Sequence, residues 1–271
     1  MKTIVLDQTI FNKNTARIPF ALTDIFTEFA GKNEQIILHF WQFEKAFILG
    51  MKDARVDDLA AGIQLIQAKK YQTIIRNAGG LGVISDKGVL NLSLIFPKNS
   101  SSIDNAYEKM FSLMKKTFPE LEIKAYEVVH SYCPGKFDLS VKGKKIAGIA
   151  QRRVKDGVAV MMYLSVNGDQ FARGQMVKQF YQKSLQENYG LKGYPDVKPS
   201  SMTTLSAVLE KEISITEVKE RFLQTLGVSG PAANALDWIH QMNQTSLFEQ
   251  KLQQMKNRNQ QLEELTNDSF I

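Results

Sequence analysis

The chain has 271 residues, 44% hydrophobic and 23% charged, with 34 Lys and Arg against 28 Asp and Glu for a formal charge of +6. That balance excludes a disordered or collagen-like chain, and the scattered lysines give no nucleic-acid signature. The length is enough to bury a core without a disulfide or metal staple, and the one cysteine, Cys133, rules out both an intramolecular disulfide and a cysteine zinc site.

Residues 1–14 lack the apolar stretch of a signal peptide, and no apolar run approaches the ~18 residues of a membrane helix, so a cytoplasmic protein is expected. Helical spacing of apolar residues predicts a helix over 17–30. Strands are expected at 35–41 and 46–50, then an amphipathic helix over 56–69 with two aspartates near its start. A short strand at 71–76 leads into the Gly79-Gly80-Leu81-Gly82 turn. Strands at 83–84 and 89–96 read as a hairpin about Asp86-Lys87-Gly88. After the 97–102 loop, a helix over 103–118 follows a serine-rich cap and stops at Pro119. A strand at 123–130, a Pro/Gly loop at 131–135 and strands at 137–141, 144–151 and 158–166 come next. Helices are expected at 168–189, 203–209 and 214–226, the last opened around Thr216 and Glu217. Beyond Gly227 the chain turns polar, and residues 232–264 read as a loosely held surface helix. The pattern predicts an α+β fold of mixed, largely antiparallel sheets flanked by helices. A catalytic domain is expected over 1–226 and a polar helical tail over 227–271.

Two segments carry chemistry. In Arg76-Asn77-Ala78-Gly79-Gly80-Leu81-Gly82 the glycines allow close backbone approach, and Arg76 suits an anionic group. No Gly-Lys-Ser/Thr follows, and a strand comes next instead of a helix, so neither a phosphate loop nor a dinucleotide fingerprint is present. A plain glycine hairpin remains open. Cys133 lies on a loop followed by Lys136, Lys142, Lys144 and Lys145, with Asp138 the one acid among them. Nearby positive charge favours a thiolate, and Lys145 on the following hairpin can return to the loop. His130 is a competing base. A buried inert thiol is the alternative.

The other candidates are weaker. His39 and His240 read as core or solvated histidines, and three histidines without a ligand spacing argue against a metal site. Trp41, with Phe40 and Phe43, reads as core or as an acyl-pocket wall, and Met161-Met162 as core.

Together these segments resemble the lipoyl/biotinyl protein ligase superfamily over roughly residues 20–226. Arg76-Asn77-Ala78-Gly79-Gly80-Leu81 followed by Asp86, Gly88, Asn91 and Ser93 is similar to the family's lipoate-binding loop and strand. Asp138 to Arg153, with Gly143-Lys144-Lys145-Ile146-Ala147-Gly148, is similar to its lysine motif. Trp41 and Ile48-Leu49-Gly50 also match. The 131–140 run resembles the cysteine loop of the octanoyl transferases that draw on GcvH, the H protein of glycine cleavage.

That resemblance implies Cys133 as an acyl-carrying nucleophile and Lys145 as its activator. It implies Arg76, Gly79, Gly80, Asp86, Asn91, Ala147 and Gly148 as substrate-binding. It implies octanoylated GcvH as donor, the lipoyl domains of 2-oxoacid dehydrogenase E2 subunits as acceptors, and no cofactor. Leu81 and Ser85 depart from the ATP-using ligases, which carry a third glycine and a histidine at those places. An octanoyl-carrier-protein transferase, an ATP-dependent lipoate ligase and a non-enzymatic carrier-binding module stay as alternatives.

Overall fold

The computed structural model describes residues 3–8, 10–99, 101–229 and 232–267. Ser100 of the expected 97–102 loop, and residues 230–231 and 268–271 of the expected tail, lie outside them. In chain order the elements are β1 (Thr3–Asp7), α1 (Ile18–Asn33), β2 (Ile36–Trp41), β3 (Lys45–Leu49), α2 (Leu59–Ala68), β4 (Gln72–Ile75), β5 (Val83–Asp86) and β6 (Val89–Pro97). Then come α3 (Ile103–Thr117), β7 (Lys124–Ala125), β8 (Leu139–Val141), β9 (Lys144–Val154), β10 (Gly157–Ser165) and α4 (Gln170–Leu185). The chain continues with α5 (Leu205–Leu209), α6 (Ile215–Thr225), β11 (Ala233–Asn234), α7 (Ala235–Gln241) and α8 (Thr245–Asn267). Side chains of Asp58, Ser102 and Ser214 cap α2, α3 and α6 by accepting backbone N–H bonds, so Ser214 opens the helix expected to start around Thr216 and Glu217.

Among the described residues the strands form two sheets, β11-β1-β2-β6-β10-β9-β8-β7 and β4-β3-β5. The large sheet is antiparallel from β2 to β7, with parallel pairs at its β1 end. The small sheet is mixed. This is the expected α+β arrangement. Every residue of β6 and β10 is buried, because α1 covers one face of the large sheet and α3 the other. One core cluster holds Leu22, Phe26 and Ile95, and a second holds Leu113, Phe118, Val160 and Phe222 on the opposite face. A third, with Phe47, Ile63, Phe180 and Tyr181, fills the space between the small sheet, α2 and α4.

Three expectations change in three dimensions. The Asp86-Lys87-Gly88 turn joins no hairpin: β5 pairs with β3, whereas β6 pairs with β2 and β10, so the chain crosses there from one sheet to the other. The local turn signal was real, since Gly88 N–H donates to Asp86 Oδ1 at 3.0 Å, but strand partners are set by which surfaces become buried. Of the strand expected at 123–130 only Lys124–Ala125 is laddered. Val128 N–H donates to the Asp138 carboxylate instead of to a strand. Finally, α8 is not loosely held: Met255, Asn259 and Leu262 are buried, and the helix packs on α1, α2 and β4.

Candidate active site

Cys133 sits on the loop between β7 and β8 in the left-handed region, at φ +49°. A non-glycine residue there costs about 1–3 kcal/mol and persists only when its surroundings enforce it. Lys145, at the start of β9, supplies the enforcement. Its Nζ donates to the carbonyl oxygens of Tyr132 at 3.0 Å and Cys133 at 2.8 Å, and to Ser131 Oγ at 3.2 Å. It also pairs with Asp138 Oδ1 at 2.9 Å. Both members of that pair are buried. Asp138 Oδ2 accepts the N–H groups of Val128 and Gly135, so the ion pair ties together both ends of the cysteine loop. Burial pushes the Asp138 carboxyl above its ordinary range, and the Lys145 ammonium opposes that shift. Removing one partner of such a pair leaves the other charge buried and unpaired.

The thiol faces the glycine loop. Leu81 N–H donates to Cys133 Sγ at 3.1 Å, and Arg76 Nη2 lies 3.7 Å from the same sulfur. Arg76 also donates from Nε and Nη2 to the carbonyl of Gly79, at 3.1 and 2.7 Å, which folds the loop back on itself. Gly80 has φ +88°, and a Cβ there would stand 3.0 Å from Sγ and 2.6 Å from Arg76 Nη2. Only glycine therefore lets the loop approach the thiol this closely. The groups directly on sulfur are a backbone N–H and a guanidinium. Lys145 reaches the carbonyl oxygen of the cysteine.

Beside the thiol runs an apolar slot lined by Phe20, Trp41, Ile48, Val83, Met161 and Tyr163, with Arg76, Asn91 and Gly148 also on its wall. Trp41 is held there by a bond from Nε1 to Ser93 Oγ at 3.2 Å and by edge contacts to Phe20 and Phe43. Its position settles the choice between core and pocket wall in favour of both, since it is also 4% exposed. Gly148 leaves room for Lys145: a Cβ would lie 3.1 Å from Lys145 Cε and 2.5 Å from the Tyr163 ring. Burial keeps Tyr163 and Tyr132 protonated, the latter pushed up to about 12.

Thus the fold gathers Cys133, Lys145, Arg76, Gly80, Asn91 and Gly148 at one place. Gly79 joins them through its carbonyl. Asp86 and Ala147 do not line the slot. Asp86 takes a two-point ion pair from Arg173, at 2.6 and 2.9 Å, and a bond from Tyr71, fixing the crossing between the sheets. Ala147 is fully buried in the second core cluster. Asn91 donates to Ser85 Oγ at 2.8 Å. His130 turns away from the thiol toward the Asp196 carbonyl at 3.0 Å and Lys198 Nζ at 3.2 Å. His39 is fully buried against Phe26, and burial lowers it to about 3. His240 contacts Thr245 near the surface.

Sequence reasoning missed Leu81, whose contribution is a backbone N–H, and also Asp53, Tyr181 and Asn259. Asn259 of α8 accepts from Ile75 N–H at 2.7 Å and donates to Ile75 O at 3.1 Å, closing the edge of β4 one residue before Arg76. Nothing in the local sequence marks an asparagine so far along the chain as a partner for that strand.

Residues 15–227 match the model of the lipoyl protein ligase A/B catalytic domain. The chain is 42% identical over 216 residues to the octanoyl-[GcvH]:protein N-octanoyltransferase of Macrococcus caseolyticus, spanning 78% of this chain and 79% of that protein. It is 40% identical over 220 residues to the protein of the same name from Staphylococcus aureus, spanning 79% of each. Among solved structures, a lipoate-protein ligase A bound with ATP superposes with a TM-score of 0.70 at 17% identity, over 93% of this chain and 95% of that one. A bipartite lipoate protein ligase from Thermoplasma acidophilum gives a TM-score of 0.63 at 16% identity, over 93% and 91%. These structural likenesses confirm a lipoate-ligase-like fold. No helix among the described residues is long and apolar enough to cross a membrane.

Proposed function

We propose a reaction for a chain that belongs to the lipoyl protein ligase A/B catalytic-domain family, among the octanoyl-[GcvH]:protein N-octanoyltransferases: it moves an octanoyl group from the lysine of octanoylated GcvH to the lysine of an E2 lipoyl domain. The observation that carries the chemistry is the Cys133 sulfur on the lining of an apolar slot, 3.1 Å from the Leu81 N–H and 3.7 Å from Arg76. The slot is lined mainly by apolar side chains, the kind of surface an acyl chain would bury against, and Cys133 is part of its lining.

In the first half-reaction the Cys133 thiolate adds to the donor amide carbonyl. The C–N bond breaks, the donor lysine takes up a proton and leaves, and an octanoyl thioester remains. In the second, the amine of the acceptor lysine adds to the thioester, the C–S bond breaks, and the attacking nitrogen loses a proton. One amide is exchanged for another, so the route needs no ATP, and the thioester divides a difficult transfer into two easier ones. Lys145 contributes by holding a positive charge on the loop and by fixing the strained Cys133 conformation. Arg76 and the Leu81 N–H stabilise the sulfur anion both before attack and as it leaves.

The test is trapping. Mixed with octanoyl-GcvH alone, the wild-type protein should gain one octanoyl mass that hydroxylamine removes, and a lipoyl domain added afterwards should take it up. Cys133→Ser should form no adduct and transfer nothing, with an unchanged circular-dichroism spectrum. Full transfer by Cys133→Ser overturns the nucleophile. Labelling from octanoyl-acyl carrier protein but not from octanoyl-GcvH overturns the donor. Transfer only from lipoate plus ATP would establish the ligase reading instead.

A further inference from the structure

We propose that Asp53 and Tyr181 are positioning residues for the Cys133 thiol: they hold the Gly82 amide, and through it the neighbouring Leu81 N–H, against the sulfur. The inference rests on the Cys133 reading above for its catalytic meaning, and on geometry for its substance.

Asp53 lies in the short 3-10 turn after β3, and Tyr181 lies on α4, 128 residues away. Both side chains are completely buried. Gly82 N–H donates to Tyr181 Oη at 3.1 Å. The Tyr181 hydroxyl donates to Asp53 Oδ1 at 2.8 Å, and Asp53 Oδ2 accepts from Gly50 N–H at 2.7 Å. The direction of the relay is fixed, because burial and the Asp53 charge keep the tyrosine protonated. Its one proton points to the carboxylate, and its lone pair faces the Gly82 N–H.

The relay therefore ties Gly50, the residue after β3, to Gly82, the residue before β5. Gly82 is the far end of the Arg76–Gly82 loop, and Gly50 follows Leu49, which lies against the near end. Arg76 N–H donates to Leu49 O at 3.0 Å, anchoring the near end. The backbones also touch directly, since a Cβ on Gly50 would fall 1.9 Å from Gly80 O. With both ends held, the Leu81 N–H has one place to point.

A purely structural role fits poorly. Burial raises Asp53 to about 6, with Arg76 and Lys52 the opposing charges, so at neutral pH the site carries an ionised group at a cost. What the carboxylate adds is orientation of two amides and a hydroxyl, one step from the sulfur.

The experiment reads the thiol itself, with no acyl donor present. Full-length protein is alkylated with iodoacetamide across pH 5–9 and followed by intact mass, with a melting curve for each variant. Tyr181→Phe should move the midpoint of Cys133 alkylation up by about one pH unit. Asp53→Asn, which keeps an acceptor for Tyr181 but loses one for Gly50, should move it in the same direction by less. Phe222→Leu, in the core on the far face of the large sheet, should lower the melting temperature and leave the midpoint in place. An unchanged midpoint in Tyr181→Phe overturns the proposal, as does a shift of equal size in Phe222→Leu. Should Tyr181→Phe fail to fold, an unchanged midpoint in Asp53→Asn overturns it. A shifted midpoint together with full transfer by Cys133→Ser would leave the positioning role standing and remove the nucleophile.

Discussion

On the large-sheet side of the slot, the cysteine loop is gripped by one buried ammonium. Lys145 binds three consecutive residues of the loop and pairs with Asp138, which binds two more of its amides. On the small-sheet side, the loop that faces the sulfur is held from its ends. Arg76 folds onto Gly79, the Asp53–Tyr181 relay holds Gly82 and Gly50, and Asn259 braces β4 from the C-terminal helix. The first grip is local in sequence, within 128–145. The second draws on residues 50–53, 76–82, 181 and 259. The difference teaches that the cysteine loop and the loop facing its sulfur are separately built, one by a local motif and the other by assembly of distant segments.

Breaking the first grip should have the largest effect. Lys145→Met removes the ammonium, leaves Asp138 without its counter-charge, and should cost about 3–5 kcal/mol in urea unfolding along with loss of the acyl adduct. Replacing both residues, Lys145→Met with Asp138→Asn, should recover part of the stability and none of the acylation. Recovery of acylation would mean that Lys145 acts only by relieving a buried charge.

The relay is sharpened by pH. Asp53 has a folded-state pKa of about 6 against an ordinary 3.8, so the folded protein holds this proton more tightly than the unfolded chain. Its contribution to stability is whole below the unfolded value and is lost as pH rises through 6. Two units correspond to about 3 kcal/mol. The stability of Asp53→Asn relative to wild type should therefore rise by up to that amount between pH 4 and pH 7. A difference that stays flat with pH would show that Asp53 is ionised throughout. His39 acts in the opposite sense in both proteins and cancels from the difference. Burial lowers it to about 3, so stability falls as pH drops below its ordinary 6.5.

The smallest expected effect comes from the brace. Asn259→Ala leaves the N–H and carbonyl of Ile75 without their side-chain partners and should cost about 1–3 kcal/mol. It should slow acylation by less than Tyr181→Phe, because it acts one residue before Arg76 instead of one residue after Leu81. A larger loss than that of Tyr181→Phe would place the main support of the cradle in α8.

Much of this was present in the chain as written. Apolar periodicity and caps gave α1, α3, α4 and α6, and alternating runs gave β2, β6, β9 and β10, because those elements are long enough for local pattern to dominate. The motif residues Arg76, Gly80, Cys133 and Lys145 lie close together in the structure. β1 and β11 went unseen because they are short strands whose partners are remote. The hairpin expected at Asp86-Lys87-Gly88 failed because a turn signal fixes a reversal of the chain and not the strand each arm will join. The partner of Asp86 was not legible, because nothing local in the chain points from its motif to Arg173 on α4.

The sequence by itself determined the class of fold, the lone thiol and the basic neighbours that follow it. Only the tertiary structure decided which groups touch the sulfur. Those groups are a backbone amide and a guanidinium on another sheet, held by a carboxylate and a phenol distant from both the thiol and each other in the chain. A backbone N–H carries no residue identity, and a buried polar side chain finds its partner only when folding removes water from both.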